Sequence, residues 1–168
     1  MVILWLGGAF VFLFLFFLWS SRPQARGSAL GLDGELLFAD KGRASKAFVS
    51  MKYGVRAKPD FLIRLADGRV ALVEYKSRNS DRVYESDIVQ AKVSALAARV
   101  AYPVETVFVK TKRRLQEFPI PRSDDALYGQ VKEYVELARR AEQGELLCVF
   151  TSNLYQCKTC SVRSSCQR

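Results

Sequence analysis

The sequence contains no histidine. Imidazole chemistry is thereby excluded: this chain cannot build a histidine-based triad, a zinc-protease helix or a histidine metal site. Cysteine is scarce and confined. Its four copies, Cys148, Cys157, Cys160 and Cys166, all fall within the last twenty-one residues. A disulfide framework usually spreads its bridges along a chain, so the crowding points instead to one metal or cluster site. Charged side chains are missing from the first nineteen residues, so the whole excess of 26 basic over 17 acidic residues, a formal net charge of +9, belongs to the rest. A basic domain suits a polyanionic partner. The same excess also fits a domain lying against the inner side of a membrane. A length of 168 residues accommodates one soluble domain and an anchor.

Residues 2–19 form an unbroken apolar run rich in Phe and Leu. As a helix it would span roughly 27 Å, close to the thickness of a hydrocarbon core. A cleaved signal peptide is the rival reading. It lacks a basic residue before the run and a small-residue cleavage site after it. The run is therefore expected to be a transmembrane anchor, with Trp5 and Trp19 towards the two interfaces. Arg22 and Arg26 follow the run, which predicts an outside N-terminus and a cytoplasmic domain.

Residues 20–34 (SSRPQARGSALGLDG) are small, polar and Gly/Pro-containing, and read as a linker. Residues 35–53 are ambiguous: 36–38 suit the start of a strand, 45–51 either strand or helix. Beyond Pro59 the pattern sharpens. Residues 60–65 (DFLIRL) and 69–76 (RVALVEYK) read as strands joined by a turn at Ala66-Asp67-Gly68. Residues 84–100 hold no Gly or Pro, and Ile88, Val89, Val93, Leu96, Ala97 and Val100 give a wide apolar helical face. Residues 104–110 read as a third strand. Residues 124–143 read as a second helix, with Ser123 as N-cap and Gly144 at its end. This order predicts an α/β fold with a mixed sheet: an antiparallel pair, then a parallel neighbour reached through a crossover helix. The domain is expected over residues 35–145, with a cysteine-bearing tail over 146–168.

Glu74 and Lys76 end an otherwise apolar strand, and side-chain alternation puts both on one face with Tyr75 on the other. A carboxylate there can hold a hard divalent cation, and the lysine can orient water or offset phosphate charge. A plain strand-end ion pair is the competing reading. Asp60 is the natural second ligand, if the turn allows it. A two-residue turn would set Asp60 opposite Tyr75, on the wrong face. A three-residue loop, residues 66–68, would set it opposite Glu74 and needs a left-handed third residue, which Gly68 permits. The sequence leaves both registers open.

Residues 52–98 resemble the core of the PD-(D/E)XK nuclease superfamily, in particular the RecB-like group that includes the CRISPR-associated adaptation exonuclease family. Tyr53-Gly54-Val55-Arg56-Ala57-Lys58-Pro59-Asp60 resembles the approach to that group's first metal-binding Asp. Val73-Glu74-Tyr75-Lys76-Ser77 resembles its E-x-K motif, and Gln90 the Gln of its Q-x-x-x-Y motif. Cys157-x-x-Cys160-x5-Cys166 resembles the trailing cysteines of iron–sulfur members. Three features depart from the pattern: Ser94 stands at the motif's Tyr, no His precedes Asp60, and no Cys precedes Cys148.

The resemblance implies a restriction-endonuclease-like fold and metal-dependent hydrolysis of DNA, on single-stranded or frayed ends. Asp60, Glu74 and the Tyr75 carbonyl would hold Mg²⁺ or Mn²⁺, Lys76 would position the attacking water, and Gln90 would orient substrate or Lys76. A [4Fe-4S] cluster would need Cys148 beside the other three cysteines; structural Zn²⁺ suits the same thiolates, and Cys148 also reads as a small buried hydrophobe. Arg56, Lys58, Lys110, Lys112, Arg113 and Arg114 are expected to line the phosphate path. The alternative function is a degenerate nuclease fold that only binds nucleic acid at the membrane.

Overall fold

The computed structural model describes residues 30–145 and Lys158. It divides into two compact units at Val131/Lys132. The first unit is built on a five-stranded sheet in the order β1-β4-β5-β6-β7. The strands are β1 (Gly34–Ala39), β4 (Phe61–Leu65), β5 (Val70–Lys76), β6 (Val104–Thr111) and β7 (Leu115–Pro119). A separate hairpin joins β2 (Phe48–Ser50) to β3 (Val55–Ala57). Helix α1 (Glu85–Ala98) links β5 to β6, and α2 (Asp124–Glu142) follows β7.

The sheet is mixed as expected. β4 and β5 pair antiparallel, while β5 and β6 run parallel across the α1 crossover. The parallel pair sits in the middle and β5 is buried from Val70 to Glu74, which is why its sequence reads as a continuous apolar run. Ile63, Ala71, Val73 and Phe108 form a buried cluster on one face, with Leu30, Leu32, Leu36, Phe61, Leu65 and Leu115 packed against it. The alternate residues Leu62, Leu72 and Glu74 belong to the opposite face, where α1 lies.

Several elements differ from the sequence expectation. The stretch expected as a linker overlaps the fold: Leu30 and Leu32 pack on the core, and Gly34 already belongs to β1. A Cβ at Gly34 would lie 2.2 Å from the Arg64 carbonyl oxygen, so the close β1–β4 approach requires glycine. Of the two readings left open for residues 45–51 the strand is the one formed, as β2, whereas β3 and β7 were not foreseen. β2 and β3 have only three residues each, and β7 (LQEFP) is an edge strand without alternation.

Helix α1 is also packed differently. Its buried residues are Asp87, Ala91 and the run Ser94 to Ala98, whereas Val100 lies past its end and is 58% exposed. The helix is sandwiched between the sheet and the β2–β3 hairpin, so small residues on two sides are buried in place of one apolar stripe. The hairpin is in turn tied to the start of α2. Tyr53 donates its hydroxyl to Asp125 at 2.7 Å and stacks on Tyr128 with 4.9 Å between ring centres.

Among the described residues no helix is long and apolar enough to cross a membrane. The expected anchor at residues 2–19, residues 20–29 of the expected linker, and Cys148, Cys157, Cys160 and Cys166 lie outside the described residues.

Candidate active site

The turn between β4 and β5 settles the register. Phe61 pairs with Val73, Leu62 with Leu72, Ile63 with Ala71 and Arg64 with Val70. The loop is the three-residue one: Leu65 N–H donates to Arg69 O at 2.8 Å, Gly68 N–H to Leu65 O at 2.9 Å, and Gly68 is left-handed with φ +89°. Continuing the pairing by one step puts Asp60 opposite Glu74. Asp60 Oδ2 accepts the Tyr75 backbone N–H at 2.7 Å, which carries its carboxylate across to the end of β5.

Glu74 and Lys76 share the face that α1 covers, and Gln90 reaches them from that helix. Lys76 Nζ donates to Glu74 Oε1 at 3.0 Å and to Gln90 Oε1 at 2.7 Å, while Gln90 Nε2 donates to Glu74 Oε1 at 2.6 Å. The structure thus brings together Asp60, Glu74, Tyr75, Lys76 and Gln90. Glu74 is only 3% exposed. Burial pushes its carboxyl above the ordinary range and the negative charge of Asp60 adds to this, with Lys76 pulling the other way. A buried carboxylate with a second one facing it across the strand pair suits a cation between them.

Asp60 Oδ1 and Glu74 Oε2 have no hydrogen-bond partner among the described residues, so each carboxylate keeps one oxygen for a ligand. Both are hard oxygen donors of the kind that Mg²⁺ and Mn²⁺ take. Among the described residues no group of three or more His, Cys, Asp and Glu side chains converges. A hard cation here would complete its shell with backbone carbonyl and water.

The six basic residues expected on a phosphate path divide. Lys112, Arg113 and Arg114 are exposed in the β6–β7 turn, at the same end of the sheet as Lys76, because β5 and β6 are parallel. Buried Thr111 shapes that turn: its Oγ1 accepts the Arg114 N–H at 2.9 Å and the Arg113 N–H at 3.3 Å. Lys110 pairs in register with Tyr75. Arg56 is exposed on the hairpin, opposite Val49. Lys58 donates to Gly42 O at 2.5 Å and lies 3.3 Å from Asp40.

The sequence reading missed three exposed basic residues, Lys41, Arg43 and Lys46, in the loop after β1. That loop joins the site edge because Asp40 N–H donates to Asp60 O at 2.9 Å. It also missed Asp87 and Arg78, which form a bidentate ion pair beside Lys76. Asp87 at the third position of α1 is a capping signal, readable only once the helix start is known. Ser94, where the resembled motif has Tyr, is buried.

A family model of the PD-(D/E)XK nuclease superfamily matches residues 19–167. The chain belongs to the PD-(D/E)XK nuclease superfamily. No match is found among curated proteins. Membership implies a metal-dependent nuclease, with Mg²⁺ or Mn²⁺ as the typical cation and nucleic acid as the partner. The five-stranded mixed sheet with its crossover helix is consistent with the restriction-endonuclease-like fold of the superfamily.

Proposed function

We propose that the chain is a membrane-anchored deoxyribonuclease of the RecB-like group, hydrolysing phosphodiester bonds at single-stranded DNA ends. The observation that carries this reading is the facing pair Asp60 and Glu74, with Lys76 and Gln90 hydrogen-bonded to the same Glu74 oxygen. Asp60, Glu74 and the Tyr75 carbonyl would hold Mg²⁺ or Mn²⁺. The cation would supply Lewis acidity at a phosphoryl oxygen and lower the pKa of a water.

The Lys76 ammonium is held at the end of β5, where it orients the attacking water and offsets charge that grows on the phosphate. Gln90 fixes Lys76 through its amide oxygen and Glu74 through its amide nitrogen, so both reacting-centre groups are pre-set before substrate arrives. Lys41, Arg43 and Lys46 on one side and Lys112, Arg113 and Arg114 on the other offer phosphate contacts along the sheet edge.

The test uses the full chain purified in detergent. A labelled single strand should be shortened with Mg²⁺ or Mn²⁺ and left intact with chelator. Strand binding in chelator should weaken steeply as salt rises. Salt-sensitive binding with no cleavage under any divalent cation would replace the enzyme by a nucleic-acid-binding module.

The terminal segments enter the same proposal. Cys157, Cys160 and Cys166 bind one [4Fe-4S] cluster with Cys148 as the fourth ligand, or a structural Zn²⁺. Anaerobic purification should give iron with sulfide, or stoichiometric zinc, and Cys148→Ser should lower that content. An active preparation holding neither metal would reduce the cysteines to ordinary thiols. For the anchor at residues 2–19, protease added outside intact cells should spare the domain; its digestion there would reverse the orientation.

A further inference from the structure

Lys76 is flanked by a second carboxylate that belongs to neither the metal pair nor the Gln motif. Asp87 Oδ1 lies 3.9 Å from Lys76 Nζ, and Asp87 is 5% exposed. Its carboxylate has almost no freedom. Arg78 Nη1 donates to Oδ1 at 3.2 Å, Arg78 Nη2 grips Oδ2, and Oδ2 also accepts the Tyr84 N–H at 2.9 Å at the start of α1. The helix N-terminus favours an anion at that position. Arg78 is fixed as well: it sits over the Tyr84 ring at 4.6 Å and donates to Arg82 O at 2.9 Å. Its own carbonyl accepts the Lys112 N–H at 3.3 Å.

A buried ion pair is weak evidence for stability, because desolvation offsets the attraction. The two hydrogen-bond acceptors of Lys76, Glu74 and Gln90, have competing duties: Glu74 Oε1 is shared with Gln90, and Glu74 faces Asp60 across the strand pair. Asp87 has no such duty and cannot swing away.

We propose that Asp87 is a positioning residue for Lys76: its locked carboxylate is the fixed negative charge that holds the lysine ammonium over the reacting centre while Glu74 and Gln90 serve ligand and substrate. The kinetic part rests on the nuclease reading; the ordering of Lys76 does not.

Two measurements on the full chain in detergent test it. The first needs no activity. In metal-free protein, acylation of Lys76 followed by peptide mass spectrometry should accelerate several-fold in Asp87→Asn. It should stay near the parent rate in Asp87→Glu, which keeps the charge, and in Arg78→Gln, which removes the clamp but leaves the carboxylate. The second is a cycle with Lys76→Ala. Asp87→Asn should lower kcat about tenfold with little change in KM, and have no further effect once Lys76 is gone. Unchanged Lys76 labelling in Asp87→Asn, or an equal kcat loss on both backgrounds, overturns the proposal and leaves Asp87 as a helix cap. If Asp87→Asn fails to fold, Asp87→Glu and Arg78→Gln decide: Lys76 released in both means that the clamp, not the carboxylate, was at work. A parent that cleaves nothing removes the nuclease reading, while the labelling result still decides Asp87.

Discussion

Replacing Glu74 by Gln is expected to cut cleavage by orders of magnitude and, in the metal-free protein, to stabilise the fold. Glu74's carboxyl is held above its ordinary value of 4.5 by burial and by the charge of Asp60, against the pull of Lys76. The folded protein therefore keeps this proton to a higher pH than the unfolded chain does. Between the two values the folded state binds more protons, so raising pH through that window destabilises it, and above the window the loss is complete. Gln has the same shape and nothing to ionise. Thermal unfolding in chelator should give a higher midpoint for Glu74→Gln than for the parent at pH 8. The advantage should vanish below the unfolded value. With Mg²⁺ added, the parent should gain stability from binding and the variant should not. Cleavage should fall by roughly 10²–10³-fold, the scale of removing one preorganised electrostatic group. A variant that cleaves like the parent would take Glu74 out of the chemistry.

Gly68→Val is expected to lower stability by about 1–3 kcal/mol, the usual cost of a β-branched residue forced into left-handed backbone. A Cβ at Gly68 would meet nothing within 4 Å, so the whole penalty is conformational. Gly68→Asn should lose much less, because asparagine tolerates that region. Denaturant titration measures both. The loop also fixes which residue faces Glu74, so Gly68→Val should weaken divalent-cation binding as well. Equal stability of Gly68→Val and the parent would mean that another conformation closes the turn equally well.

The sequence made the site legible through two local rules. Alternation along a strand puts Glu74 and Lys76 together whatever the rest of the chain does. The requirement for φ > 0 at one turn position marks Gly68 as the residue that could select the productive register. The central elements were readable for similar reasons: the expected β4, β5, α1 and β6 all form within about two residues of their predicted ends, the usual uncertainty of helix and strand boundaries. Short elements were not settled, because three residues such as Phe48–Ser50 contain too little pattern to separate strand from helix.

What the sequence determined by itself was therefore the set of residues on one face of β5, the order of central strands and crossover helix, and a terminal grouping of cysteines. The tertiary structure alone chose the three-residue turn over the two-residue one, by burying Ile63, Ala71 and Val73 together on one face. It also alone placed Asp87 beside Lys76, eleven positions apart in the chain, and brought Lys58 to within 3.3 Å of Asp40. The division has one physical cause. Side-chain direction and turn chemistry are set by neighbouring backbone, whereas register and ion-pair partners are set by which distant surfaces exclude water together.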